Sequence, residues 1–465
     1  MKKILSILAV GALSLAASAQ SLTPEVLATL KQGYKGDAAD RARQSVVSNG
    51  SFRKLAMRPE VNTTGENIYF SVDIRNTGIT DQQSSGRCWM FTGLNVLRNK
   101  AMKKMGITGF QFSHIYLFFY DQLEKSNLFL QGIIDTRNED IDHQKVQWLM
   151  QNPLSDGGTY TGVADLVSKY GLVPAEVQAE TWASNNTSEI DGHLKRKLRE
   201  IAINLRELAQ GGKTEAELQA YKVEQMKTIY QMLALAYGEP VQEFLWAPRG
   251  KDGKLLSELK KYTPMEFYKE YCAEAGDLQK DYIMLMNDPS RPYNKVYEID
   301  MDRHTHDGHN WLYLNLDIKD LAPIAIASLK DSTQMYFSCD VGKFLDSKKG
   351  VLDIQAWDYN SLLGTTFGMN KKQRIQTRDS GSSHAMTLMA VDLDDKGNPI
   401  KWKVENSWGA ASGHNGYLIM TNEWFNEYMF RVVVHKKYMT KKLLKLTEQK
   451  PILLPAWDPM FMEEK

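Results

Sequence analysis

The sequence predicts an α+β fold: a helical subdomain first, an antiparallel β subdomain last, and a charged helical insertion between them. Three observations carry this reading. Met90, Phe91, Leu94 and Leu97 recur at three- and four-residue steps within 89–104, and Tyr116, Phe118, Phe119, Leu123 and Leu128 repeat the pattern. From 184 to 280 the same period continues on a strongly charged background. From Gln334 onward the pattern changes to short apolar runs at 335–338, 384–393, 400–405, 416–421 and 430–434, which read as strands.

The totals bound the answer. A chain of 465 residues holds one large domain or two to three ordinary ones. Its 43% apolar and 24% charged residues are those of a soluble globular protein. A formal net charge of +1 gives no electrostatic case for nucleic acid or an anionic membrane as partner.

Lys2 and Lys3, an apolar run over 4–16, and Ala17-Ser18-Ala19 before Gln20 form a secretory signal pattern over 1–19. An N-terminal anchor helix is the alternative, but the run is short for a span. No cysteine follows it, so a lipid anchor is not indicated, and no later stretch is long and apolar enough to cross a membrane. The expectation is an exported protein, periplasmic or secreted. Cys88, Cys272 and Cys339 are too few for a disulfide framework. Cys272 and Cys339 read as free buried thiols or as a pair. Export would expose Cys88 to oxidation, so its chemistry would need a reductant.

After the signal, Thr23-Pro24-Glu25 caps a short helix over 24–31. Residues 20–81 read as a polar N-terminal arm. They end at Gln82-Gln-Ser-Ser-Gly-Arg-Cys-Trp89, where a polar loop gives way to a helix. A thiol at a helix N-terminus faces unpaired N–H groups and the positive end of the dipole, which favours the nucleophilic thiolate. Gly86 permits a tight turn before the helix. The Gln82 amide could face an oxyanion developing beside the Cys88 N–H. Taken alone, Cys88 reads more readily as a buried structural cysteine.

A thiol nucleophile needs a base, and the base needs an orienting partner. Ser383-His384-Ala385 opens one strand-like run, and Glu405-Asn406-Ser407-Trp408-Gly409 follows another. His384 alone could be a core histidine. The ordered set of Cys88, His384 and Asn406 with Gln82 resembles the papain-like cysteine peptidases, specifically the bleomycin hydrolase/aminopeptidase C branch. Further similar segments are Phe112-Ser113 with 116–127, Ser155-Asp156-Gly157-Gly158 with 169–174, Ser338 to Lys343, and 454–460. The resemblance spans nearly all of 40–460.

The resemblance implies a papain-like two-subdomain fold. Its parts are a helical catalytic subdomain over 82–183, a helical insertion over 184–290, a β-rich subdomain over 291–450 and a tail over 451–465 directed to the cleft. It implies Cys88 as nucleophile, His384 as base and acid, Asn406 as orienter and Gln82 as oxyanion donor. Trp89 and Trp408 have supporting roles, and Trp408 is expected to cover the Asn406–His384 contact. Gly157 and Gly158 are expected to line the cleft and bond the substrate backbone, although a glycine pair is also an ordinary turn. His384 follows Cys88 by roughly 300 residues, where a simple papain-like domain separates the two by about 130–150, so an insertion is needed. In the resembled branch it helps build a homo-hexamer.

Within the insertion, Ile190, Leu194, Leu198, Ile201, Leu205 and Leu208 make one apolar stripe, ended by Gly211-Gly212. Thr214 with Glu217 starts a second helix as a capping box, and Thr263 with Glu266 a third. These stripes read as packing faces, within the insertion or against another subunit. His304, His306 and His309 invite a metal reading, but the segment is polar and reads as a solvated loop before a strand. No metal or other cofactor is expected.

In the resembled branch the C-terminus fills part of the cleft and enforces aminopeptidase action on peptides. Here Phe461 to Lys465 depart from the small, Gly/Ala-rich ending of that branch. Glu464 and the terminal carboxylate of Lys465 could receive a substrate ammonium, or the tail could be a frayed end. The leading reading is a cysteine aminopeptidase. An endopeptidase or transpeptidase on the same site, and a catalytically silent exported peptide-binding protein, are the alternatives.

Overall fold

A computed structural model describes residues 21–62, 67–75 and 78–460. The expected signal peptide and the tail end with Glu464 and Lys465 lie outside the described residues. The chain forms two compact units: residues up to 59 together with 355–368, and 60–354 together with 369–465.

The larger unit is built from a helical layer and one broad sheet. Helix α1, Cys88–Met105, buries Met90, Leu94, Leu97 and Ala101 and stops at Gly106, whose φ of 70° makes the left-handed cap. Helix α2, His114–Asp135, starts where the Ser113 hydroxyl accepts the Tyr116 N–H at 3.3 Å. Helix α3, Tyr160–Tyr170, lies against both.

Helices α4, Thr187–Gln210, and α5, Glu215–Tyr237, are separated at Gly211, and Thr214 and Glu217 form the anticipated capping box. They pack on each other and on α2. Leu194, Leu198, Ile201, Leu218, Ile229 and Leu233 are buried in the same core as Leu117 and Phe118. The charged helices therefore thicken the helical layer.

The described residues form a twelve-stranded sheet. In chain order its strands are β1 Val72–Asp73, β2 Tyr282–Met286, β3 Lys295–Ile299, β4 Leu312–Asn315, β5 Met335–Cys339, β6 Leu345–Asp346, β7 Val351–Leu352, β8 His384–Leu393, β9 Pro399–Glu405, β10 Tyr417–Thr421, β11 Met429–His435 and β12 Ile452–Leu454. They lie in the order β12-β3-β4-β2-β11-β5-β8-β9-β10-β7-β6, with β1 on β8.

The strands around β8 are antiparallel, as the sequence predicts. The whole sheet is not. β2 with β4, β3 with β12, and β7 with β10 are parallel, so the expectation of an antiparallel subdomain is corrected to a mixed sheet. Parallel partners need crossovers instead of hairpins, and these strands are joined by long segments whose pairing no local pattern reveals.

Side-chain alternation divides the core between the two faces of the sheet. On β5, Tyr336 joins the helical-layer core while Phe337 and Cys339 join an opposite core. That second core is closed by Ile318–Lys330 and Asn422–Tyr428. Cys272 lies in the first core and Cys339 in the second, so the two do not form the pair that the sequence left open.

The smaller unit holds helices Pro24–Gln32, Ala38–Val47, Phe52–Ala56 and Tyr359–Leu363. The Trp357 indole N–H donates to the Arg53 carbonyl at 2.9 Å, and Arg58 N–H to the Ala356 carbonyl at 2.8 Å. The sequence reads 20–81 as one arm. From 60 onward that segment belongs to the larger unit, where β1 pairs β8. No helix among the described residues is long and apolar enough to cross a membrane.

Candidate active site

The cysteine loop is held from both sides. Gln82 N–H donates to the Ser407 carbonyl at 2.8 Å, and Ser84 N–H to the Asn185 carbonyl at 3.0 Å. Gln83 between them has a φ of 54°, a left-handed conformation that a non-glycine residue adopts only under constraint. Gly86 lies in the bend before the helix and also serves clearance. Its N–H meets Asp156 Oδ2 at 2.6 Å, and a Cβ there would stand 2.3 Å from Asp156 Oδ1.

Cys88 is the first residue of α1 and is fully buried. Arg87 precedes it, its guanidinium 2.8 Å from Glu180 Oε2. Glu180 also accepts the Ile115 N–H at the start of α2. Burial pushes the Glu180 carboxyl up, but the Arg87 charge and the hydrogen bonds to the carboxylate bring it below the usual range.

His384 opens β8 opposite Cys339 in β5. The next N–H, of Ala385, points at Cys88 Sγ from 3.4 Å. His384 Nε2 lies 2.7 Å from Asn406 Oδ1. That same atom accepts the Ser407 backbone N–H at 2.8 Å, which identifies it as the amide oxygen. Nε2 must then carry the hydrogen, and the other ring nitrogen, Nδ1, is left to take a proton.

Asn406 Nδ2 has no acceptor among the described residues. A buried donor held at that cost marks a position where geometry outweighs stability. The Trp408 ring stacks on His384 at 4.7 Å and 30°, half-buried, above the imidazole. Gln82 completes the group. Its Oε1 accepts the Ser407 hydroxyl at 2.6 Å, and one amide N–H is given to the Ser85 carbonyl at 2.5 Å. The fold thus brings together Gln82, Cys88, His384, Asn406 and Trp408.

Trp89 and the glycine pair form an adjoining wall. The Trp89 indole N–H donates to the Asp156 carbonyl at 2.9 Å, and Lys125 Nζ donates to the carbonyls of Ser155 and Gly157. A Cβ on Gly158 would stand 2.3 Å from His304 Cε1, so glycine there is required by the packed imidazole. His304 is therefore not in a solvated loop. It is 2% exposed, packed on Trp89, with Nδ1 2.5 Å from Asp121. A buried carboxylate compensates its polarity, which the polar neighbouring sequence conceals. His306 and His309 do sit on the exposed side. Among the described residues no three metal-ligating side chains cluster.

The tail is anchored as far as Met460. β12 pairs β3, Asp458 meets Arg291 at 3.0 Å, and Arg431 Nη2 donates to the Met460 carbonyl at 2.9 Å.

Sequence reasoning missed the buried ion pair between Arg98 and Glu405, 2.6 Å apart. A signal existed: Arg98 stands four residues after Leu94 on the apolar stripe of α1, where a charge must find a partner.

A family model described as the Peptidase C1-like family matches residues 21–461. The chain belongs to that family. It is a papain-like cysteine peptidase with an α+β fold. It is 38% identical over 452 residues to "Bleomycin hydrolase" of Homo sapiens, covering 95% of this chain and 99% of that one. It is 35% identical over 443 residues to "Aminopeptidase C" of Streptococcus thermophilus, covering 95% and 98%. The crystal structure of PepW from Lactobacillus rhamnosis HN001 superposes with a TM-score of 0.91 at 33% identity, covering 96% of this chain and all of that one.

Proposed function

We propose that this peptidase is an aminopeptidase in which Cys88 attacks the carbonyl of the first peptide bond. His384 Nδ1 takes the thiol proton and returns it to the leaving amine. Gln82 and the Cys88 N–H hold the oxyanion, and Asn406 keeps the imidazole ring in plane. Water then hydrolyses the Cys88 thioester. The observation that carries this reading is the double acceptance at Asn406 Oδ1, which leaves Nδ1 of His384 as the basic nitrogen. Release of N-terminal residues is supported by the relatives named "Aminopeptidase C" and by a tail anchored through Met460.

The test uses the protein from Gln20 onward, under reductant, with a free-amine aminoacyl amide and its N-blocked counterpart. Cleavage of the free-amine substrate alone, lost in Cys88→Ala, supports the proposal. Equal cleavage of the blocked substrate makes it an endopeptidase, and cleavage of neither favours a peptide-binding role.

Export by residues 1–19 and assembly into a homo-hexamer complete the reading. N-terminal sequencing of the mature protein should begin at Gln20. Val223 and Leu235 on α5 are 60% and 81% exposed, apolar side chains that other copies could cover. Light scattering should then give the mass of six chains, and a monomer at working concentration would end that part.

A further inference from the structure

We propose that the buried Arg98–Glu405 pair is a positioning device that sets the nucleophile helix against the strand end carrying Asn406. Arg98 follows Cys88 by ten residues on α1, about 15 Å along the helix axis. Its Nη2 lies 2.6 Å from Glu405 Oε1, with both side chains no more than 1% exposed. The same nitrogen donates to the Gly78 carbonyl at 3.2 Å. One turn earlier, the Asn95 amide donates to Thr80 Oγ1 at 3.1 Å. Glu405 ends β9, directly before Asn406, and pairs with Thr387 of β8. One guanidinium thus touches both segments that carry partners of Cys88: the one leading to Gln82 and the one leading to Asn406.

Stability alone does not account for the pair. Burying two charges costs nearly as much as their attraction returns, and apolar side chains of similar volume usually hold a core as well or better. Arg98 Nε and Nη1 find no acceptor among the described residues, so the guanidinium is only partly compensated. What apolar side chains cannot do is fix a direction, which a charge-assisted hydrogen bond does. Leu94, Leu97 and Ala101 lie in an apolar core over which α1 could roll or slide. The Cys88 Sγ contact with Ala385 N–H holds one end, and Arg98–Glu405 holds the helix a second time. A helix held twice cannot turn its first residue away from His384. Displacements near 1 Å at a reacting atom can cost about 10²-fold in rate.

The inference rests on the catalytic roles proposed for Cys88, His384 and Asn406. Its test compares the double variant Arg98→Met/Glu405→Leu, and separately Glu405→Gln, with the wild type. Measured are kcat, KM, the pH profile of kcat/KM on a free-amine aminoacyl amide, and thermal melting. The double variant should melt cooperatively near the wild type. Its kcat should fall roughly tenfold or more with KM within about twofold, and the acid limb of its profile should move. Glu405→Gln, which keeps shape and loses charge, should show the same split at roughly threefold.

Wild-type kcat and an unmoved profile in a folded double variant would overturn the proposal. So would the same result in Glu405→Gln if the double variant does not fold. Were the wild type itself inactive on peptides, the function would fall separately. The rate of Cys88 alkylation by iodoacetamide needs no substrate and would then judge the pair: a slower rate in the variants supports it, an unchanged rate overturns it.

Discussion

The two faces of the sheet are built differently. The face toward Ile318–Lys330 packs Leu285, Phe337, Leu388, Trp402, Leu418 and Val432 into a core of apolar side chains. The face toward α1 also buries many apolar groups, but charges are set among them: Arg87, Arg98, Asp121 and Lys125 are nine-tenths buried or more. An apolar core gains stability from area removed from water and tolerates small shifts. Buried charges cost desolvation and give direction in return. The first face rests on apolar area, and on the positioning role proposed for Arg98 the second also serves the alignment of the peptidase site.

The sharpest way to break this comparison is at the nucleophile. Cys88→Ala should lower peptide cleavage by about 10³-fold or more while leaving the melting temperature within a few degrees. The reverse pattern is expected on the far face. Leu418→Ala should cost about 2–5 kcal/mol in denaturant unfolding, with kcat within about twofold at temperatures where the variant is folded. Gln82→Ala should reduce kcat by about 10²-fold with little change in KM, the signature of a contact made in the transition state.

A pH-dependent effect concerns His114, stacked on Phe91 at 3.6 Å with no acceptor for Nε2 among the described residues. Burial holds its pKa down at about 3. The unfolded chain therefore binds a proton between about pH 6.5 and 3 that the folded chain refuses, and stability falls as pH drops through that window. His114→Phe removes this proton. Between pH 7 and 3 the wild type should lose up to about 4 kcal/mol more than the variant. Parallel stability curves would show that His114 is protonated or exposed in the folded state.

The same contrast explains what was legible. Cys88, Gln82, His384 and Asn406 stand in short local patterns whose order carries the family resemblance, so the set could be found without knowing the fold. The helix stop at Gly211 and the caps at Ser113, Thr214 and Thr263 are likewise local. Arg98 with Glu405 and His304 with Asp121 were not legible as pairs, because their partners lie 307 and 183 residues away. A buried histidine in a polar stretch looks like a loop until its carboxylate is found. The parallel strand pairs escaped for a related reason: strand pattern reports burial, whereas partner and direction depend on the crossover. Gly86 was noticed for its turn and Gly158 for close approach of a substrate backbone, and each also makes room for a side chain, Asp156 and His304.

The most direct test of the central claim is to catch the acyl group. The protein would be quenched in acid during turnover of a free-amine aminoacyl ester and mapped by peptide mass spectrometry. The aminoacyl mass is expected on the peptide that contains Cys88, with neither adduct nor turnover in Cys88→Ala. An adduct on another residue, or turnover that survives Cys88→Ala, would contradict it.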